Sequence, residues 1–276
     1  MNPSRPFELP AFLRALFLIL SAGLYTALLG PLALVSCFLD RSRRWPSLFQ
    51  GLWVDWLLRT NGIPVRVEGM QNLKKDQSYI LVSNHASILD IPALISAAPF
   101  PVRFLAKKSL LWFPIFGQAL YFSGHILVDR KSAQSALRGL KKAPSLLKKG
   151  ISIIVFPEGT RTPDGEMKEF KRGAFLLAQH SKFPIVPVSI NGSYEMLPRH
   201  GWCYWPGTIQ IRMSEPIPTR DLSHQELRDL MSRVRETVLE NLKRGRVEQE
   251  VRSEERGERP DDRMKDAGGR VQAPQC

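Results

Sequence analysis

His85 and Asp90 stand five positions apart in Ser83-Asn84-His85-Ala86-Ser87-Ile88-Leu89-Asp90. A carboxylate on one ring nitrogen fixes the tautomer of an imidazole and stabilises its charged form. The other nitrogen is then free to act as a general base. An H-x4-D spacing is weak evidence by itself, because the same residues suit a polar loop with Asp90 as half of a helix cap. Three further segments add chemistry. Asp129-Arg130 follow the apolar Ile126-Leu127-Val128. Glu158-Gly159-Thr160-Arg161 follow Ser152–Phe156 and Pro157. Ile185-Val186-Pro187-Val188-Ser189 carries a proline inside a β-rich run. One base, its carboxylate partner, two arginines and a turn with free backbone N–H groups suit acyl transfer to a hydroxyl on a phosphorylated substrate. The base would deprotonate the hydroxyl, the arginines would hold the phosphate, and the N–H groups would stabilise the oxyanion.

These residues need elements that bring them together. Tyr79-Ile80-Leu81-Val82 reads as a strand that ends at a polar elbow, and Ser87-x-x-Asp90 reads as the capping box of a following helix. Strands are expected at 64–68, 78–83, 102–105, 126–129, 152–156, 185–190 and 208–213, with helical patterns near 87–97, 109–121, 132–149 and 171–181. The alternation implies an α/β fold: a largely parallel central sheet of about seven strands with helices on both faces. The strand ends would then share one rim, where open α/β sheets place their chemistry. Pro187 marks its strand as an edge or a bulge. Ser223 to Arg244 is a last amphipathic helix with its own box, Ser223-x-x-Glu226.

Residues 1–61 read as a membrane anchor. Ala15 to Leu39 has no charged residue. As one helix it would be about 37 Å long, against a bilayer core of about 30 Å. It is read as a tilted span, as a hairpin broken at Gly30-Pro31, or as a signal segment ending near Cys37. The signal reading ranks last, because the apolar run exceeds an h-region and basic residues follow it. Arg41, Arg43 and Arg44 after the run place the remainder on the cytoplasmic side, the inner membrane face of a bacterium. Residues 46–60 suit an amphipathic helix in the headgroup region or on the protein's own core. The catalytic domain is expected at 62–245. The charged stretch 246–276 has few large apolar residues and is expected to be disordered.

The chain of 276 residues is 43% apolar and carries a formal charge of +13. The tail is close to neutral, so the excess sits on the body and implies an anionic partner such as nucleic acid, a phosphorylated small molecule or an anionic membrane. The stripe Arg138, Lys141, Lys142, Lys149 is assigned to lipid headgroups or an acidic carrier protein. Cys37, Cys203 and Cys276 are odd in number and scattered, with neither a disulfide framework nor metal-site spacing. No G-x-S-x-G elbow supports a serine hydrolase, and no basic-aromatic module supports nucleic-acid binding.

The four segments in order, Asn84–Asp90, Gly124–Arg130, Phe156–Arg161 and Val186-Pro187-Val188, resemble the motifs of the glycerolipid acyltransferase family, and the likeness runs from about Gly62 to Pro218. The best-known members of that family are 1-acylglycerol-3-phosphate (lysophosphatidic acid) acyltransferases. The resemblance implies His85 as general base and Asp90 as its orienting partner. It implies acceptor and phosphate contacts from Asn84, Lys107, Arg130, Glu158, Gly159, Thr160 and Arg161, with no role for His125. It also implies an acyl thioester co-substrate, acyl-CoA or acyl carrier protein, and neither metal nor cofactor. Lysophosphatidic acid is the favoured acceptor; lyso-ornithine lipid or another lysolipid is the alternative.

Overall fold

The computed structural model describes residues 10–40, 44–129, 132, 139–220 and 222–255. Seven strands form one sheet in the order β1-β7-β6-β2-β5-β3-β4. They are β1 (Val65–Glu68), β2 (Ile80–Ser83), β3 (Val102–Lys107), β4 (Ile126–Val128), β5 (Ser152–Val155), β6 (Ile185–Asn191) and β7 (Ile209–Met213). The run β6-β2-β5-β3-β4 is parallel. β7 lies antiparallel to β6 and carries β1 parallel to itself. The carboxyl ends of five strands therefore share one rim.

Alternation along the buried strands feeds two apolar layers. Leu81 and Ile154 face a layer with α1 (Ala11–Leu39), α2 (Arg44–Thr60) and α3 (Asp90–Ala97). Ile80, Val82, Ile153 and Val155 face a layer with α5 (Ala143–Leu147), α6 (Gly173–Ser181) and α8 (His224–Glu255). The remaining helices are α4 (Phe116–Ser123) and the short α7 (Ser193–Met196).

Pro187 sits on an interior strand. Its partner β7 pairs Met213 with Val188, while Ile217 bridges to Ile185. Three steps on β6 thus face four on the partner, a bulge at the proline. The missing N–H falls where the ladder is already interrupted, so the bulge is realised and the edge is not.

Other elements differ from expectation for local reasons. The pattern at 109–121 splits into a 3-10 turn (Lys108–Trp112) and α4, because Pro114 and Ile115 (φ 64°) break it. In the pattern at 132–149, Pro144 opens the short α5, so Lys141 and Lys142 lie on a turn before it and Lys149 on a turn after it. Those three lysines are exposed but do not share a helical face, and Arg138 lies outside the described residues. The box at Ser223 forms in both directions, with Ser223 N–H to Glu226 (2.7 Å) and Glu226 N–H to Ser223 Oγ (3.2 Å). α8 then continues past 245 to Glu255, against the expected disorder there, while the rest of that stretch, 256–276, lies outside the described residues. Arg246 bonds Glu166, and Glu248 pairs with Arg212, pinning the extension to the domain. Cys37 is a free thiol.

α1 is continuous through Gly30-Pro31, so the hairpin reading does not hold. Its first two thirds pack on α2: Trp53 donates to Thr26 (3.1 Å), Asn61 to Ser21 (2.9 Å), and Tyr25 meets Trp56 edge-on. Its last third packs on α4, where Phe38 meets Phe122. Tyr204 N–H bonds the carbonyl of Ala11, tying the start of α1 to the sheet domain. α2 buries Val54, Leu57 and Leu58 in the core, yet Trp45, Leu48 and Trp56 stay exposed. α1, by length and composition, can cross a membrane.

Gly30 sits where α1 meets the strained Ile115. A Cβ there would lie 2.3 Å from Ile115 Cγ2, whereas a Cβ on Gly23 meets nothing within 4 Å. Gly30→Ala should therefore lower stability by about 1–3 kcal/mol through overpacking. Gly23→Ala should raise it by up to about 1 kcal/mol through helix propensity. Thermal unfolding of the detergent-solubilised protein measures both signs.

Candidate active site

β2 ends at Ser83, and the next residue fastens the elbow. Asn84 Oδ1 accepts the Ile190 N–H (2.8 Å) and its Nδ2 donates to the Ile190 carbonyl (2.9 Å). These two bonds extend the β2–β6 pairing past the end of the strand. Both ends of the Asn84 amide are engaged with backbone, so Asn84, expected to bind substrate, instead positions the elbow.

Asp90 is fully buried at the start of α3. Its Oδ2 meets His85 Nδ1 at 2.8 Å and accepts the N–H groups of Ala86 (2.7 Å) and Ser87 (2.9 Å). Its Oδ1 accepts the Ser193 hydroxyl. A carboxylate collecting donors from three sides acts as acceptor to the imidazole too, so Nδ1 carries the proton and Nε2 presents its lone pair. Among the described residues, Nε2 has no hydrogen-bond partner. The expected capping box forms only in half: Ser87 N–H reaches Asp90, but Ser87 Oγ accepts the Leu89 N–H (3.3 Å) in place of that of Asp90 and donates to the Leu197 carbonyl (2.6 Å). α3 consequently starts at Asp90 and not at Ser87.

The turn after β5 braces the same elbow. Glu158 Oε1 accepts the His85 N–H (2.7 Å), and Thr162 N–H bonds the His85 carbonyl (2.9 Å). Phe156 stacks on the imidazole at 4.0 Å and 17°. Glu158 Oε2 accepts the Lys168 N–H (3.1 Å), and Lys168 Nζ reaches Thr160 Oγ1 (3.4 Å) and the Arg161 carbonyl (3.3 Å). Gly159 takes φ 78°, the left-handed region glycine favours, and its N–H closes the turn on Phe156. The N–H groups of Thr160 and Arg161 have no partner among the described residues. Glu158 therefore clamps the backbone of His85 to that of Lys168, one carboxylate oxygen to each, where the sequence suggested contact with substrate.

Beside the elbow lies an apolar cavity of about 460 Å³ between the sheet domain and the N-terminal helices. Ile88 and Leu89 form its wall next to Asp90, Ala22, Leu29 and Trp53 form the far wall, and Arg161 and Arg199 stand at its edge. The size and lining are those of a small-ligand site. His125 also lines it, with Nδ1 accepting the Phe104 N–H (3.3 Å). Lys107 ends β3 on the same rim but faces a separate depression with Lys108, Trp112 and Asp129. The structure thus brings His85, Asp90, Glu158 and Arg161 together and leaves Lys107 apart. Arg130 lies outside the described residues. Ser193, Thr162, Lys168 and Arg199 lie outside the residues singled out from the sequence, and the stacking of Phe156 on the imidazole is not evident from its motif. Ser193 alone was within the sequence's reach, as the residue just beyond the carboxyl end of β6.

Burial pushes the Glu158 carboxyl up to about 7, against the opposing pull of the Lys168 and His85 backbone N–H groups. Between pH 4.5 and 7 the folded chain then binds more protons than the unfolded one, so this group's contribution to stability falls as pH rises. The decline should reach about 3 kcal/mol. Glu158→Gln should remove that slope, and unfolding free energies of both proteins at pH 4.5, 6 and 7.5 measure it.

The acyltransferase family model, described as "Acyltransferase", matches residues 64–191. A 1-acyl-sn-glycerol-3-phosphate acyltransferase of Limnanthes douglasii is 34% identical over 182 residues, 66% of this chain and 64% of the relative. The alpha enzyme of that name from Homo sapiens is 36% identical over 179 residues, 64% of this chain and 63% of the relative. The chain therefore spans somewhat under two thirds of these relatives' length. The crystal structure of the 1-acyl-sn-glycerophosphate (LPA) acyltransferase PlsC from Thermotoga maritima superposes with a TM-score of 0.71 at 30% identity, covering 86% of this chain and 96% of that one. With fold, motif order and near-complete structural coverage in agreement, the chain belongs to the acyltransferase family that includes these lysophosphatidic acid acyltransferases.

Proposed function

We propose that the protein transfers a fatty acyl chain from an acyl thioester to the free sn-2 hydroxyl of lysophosphatidic acid, making phosphatidic acid. The observation that carries this reading is the His85–Asp90 contact of 2.8 Å, buried beside an apolar cavity with Arg161 at its edge. The names of the relatives support the same acceptor.

In the proposed reaction His85 Nε2 takes the proton of the acceptor hydroxyl as its oxygen bonds to the thioester carbonyl carbon. Asp90 stabilises the imidazolium that forms. The tetrahedral oxyanion is met by donors from the Thr160–Arg161 turn. The C–S bond then breaks, and the imidazolium returns its proton to the leaving thiolate. Acyl passes directly from donor to acceptor, with neither an acyl-enzyme nor a cofactor. The cavity suits the acyl chain, and Arg161 suits the acceptor's phosphate through bidentate bonds. Lys107 contributes positive charge from its own depression on the rim. The donor is acyl-CoA or acyl carrier protein.

The proposal places the protein on an anionic membrane, on the cytoplasmic face by the basic residues after α1. α1 is fastened to the domain along its length and turns Phe12, Leu16, Leu20, Leu24, Leu28 and Leu32 outward, each about half exposed or more. Such a surface is suited to burial in lipid while the site stays at the interface, where its acceptor resides.

An acyl-transfer assay with labelled thioester and a panel of lysolipids tests the reading. His85→Ala should lose about 10²- to 10⁴-fold in kcat. Asp90→Asn should fall by at least about 10²-fold, because the amide no longer selects the Nδ1–H tautomer. Both proteins should keep their circular dichroism and sediment with vesicles. Near-normal turnover in folded His85→Ala would refute the mechanism.

A further inference from the structure

Arg199 lies outside all four sequence motifs, yet the fold carries it to the site. The segment Gly192–Arg199 leaves the carboxyl end of β6 and is tied to the elbow twice. Ser193 Oγ bonds Asp90, and the Leu197 carbonyl accepts Ser87 Oγ. Two residues later, Arg199 Nη1 donates to the Arg161 carbonyl at 3.0 Å. Arg161 and Arg199 both line the edge of the apolar cavity.

Two like charges side by side are unfavourable without an anion between them. The burial of Arg161 and its proximity to Arg199 both work against its charge. Among the described residues, neither guanidinium pairs with a carboxylate. Asp90, whose charge favours the charged form of Arg161, is already occupied by four donors. Arg199 has used one N–H on a backbone carbonyl, so most of its planar fork remains for a ligand. A group with several oxygens and about two negative charges satisfies both arginines at once, and a phosphate monoester has that chemistry.

We propose that Arg199 is a phosphate-binding residue of the acceptor site, holding the phosphate monoester together with Arg161 at the cavity edge. The proposal rests on the acyl-transfer reading and names a residue that reading does not contain. Ser193 and Leu197 then have a joint consequence. The bonds that orient Asp90 and Ser87 also set where Arg199 stands, so the acceptor's anion and the proton acceptor are held by one segment.

Arg199→Ala, Arg199→Gln and Arg199→Lys test it, each assayed in detergent micelles with acceptor and donor varied in turn. The Ala and Gln variants should raise KM for lysophosphatidic acid about 10- to 100-fold, the loss expected of a charged hydrogen bond. kcat should stay within about threefold and KM for the thioester should be unchanged. The Lys variant should recover only part, because an ammonium cannot reproduce the fork. A 1-acylglycerol acceptor, which lacks the phosphate, should be turned over equally slowly by wild type and variants. An unchanged acceptor KM, or a rise confined to the thioester, overturns the proposal. A second measurement is independent of turnover: glycerol 3-phosphate should raise the unfolding temperature of wild type and not of Arg199→Gln. Wild type that binds glycerol 3-phosphate through Arg199 but acylates no lysolipid would refute the reaction and spare the subsite. Equal stabilisation of both proteins would refute the subsite alone.

Discussion

Everything at the rim depends on the carboxylate of Asp90 remaining an acceptor. It takes bonds from an imidazole, two backbone N–H groups and a hydroxyl, drawn from the elbow and from the segment after β6. A buried carboxylate is costly unless each lone pair is satisfied, and here four donors meet it. The same bonds close the turn that lets residues five apart touch. Local geometry and chemistry are thus one constraint: an elbow that opened would release the imidazole, and an apolar side chain at 90 would leave N–H groups without partners.

The two loops flanking β2 divide the labour. The elbow supplies the imidazole, and the turn after β5 supplies its support through Glu158, Thr162 and Phe156. β5 pairs directly with β2, so that turn stands next to the elbow by sheet order alone. β6, the other neighbour of β2, delivers Ser193 from the opposite side. The site is therefore a property of three adjacent strand ends, while the ends of β3 and β4 lie further along the sheet. That distance explains why Lys107 occupies a depression of its own.

Much of this was legible beforehand. β-rich runs alternating with helical ones gave seven strands within two residues of their observed bounds, because parallel strands are short, apolar and punctuated by polar turns. His85 and Asp90 were legible because their spacing fits one turn. Less legible was what each polar group does. Asn84 and Glu158 have the chemistry of substrate ligands, and their use as backbone clamps depends on Ile190 and His85, 106 and 73 residues away in sequence. Pro187 in a β-rich run fits an edge or a bulge equally, because a sequence does not show how two partners are staggered. The continuation of α8 depends on Arg212 and Glu166, again distant, and charge-rich composition argued for the opposite outcome.

The far wall of the cavity is built from the N-terminal helices, with Ala22, Leu29 and Gly30 of α1 and Trp53 of α2 facing Leu89 and Phe104 of the sheet domain. The apolar N-terminal pair is thus a structural half of the pocket. Exchanging it for an unrelated apolar helix would leave the pocket open on one side. Any drift in the size of side chains at 22, 29 or 30 would be felt as a change in the room available to a guest, so the pair and the sheet are bound to vary together.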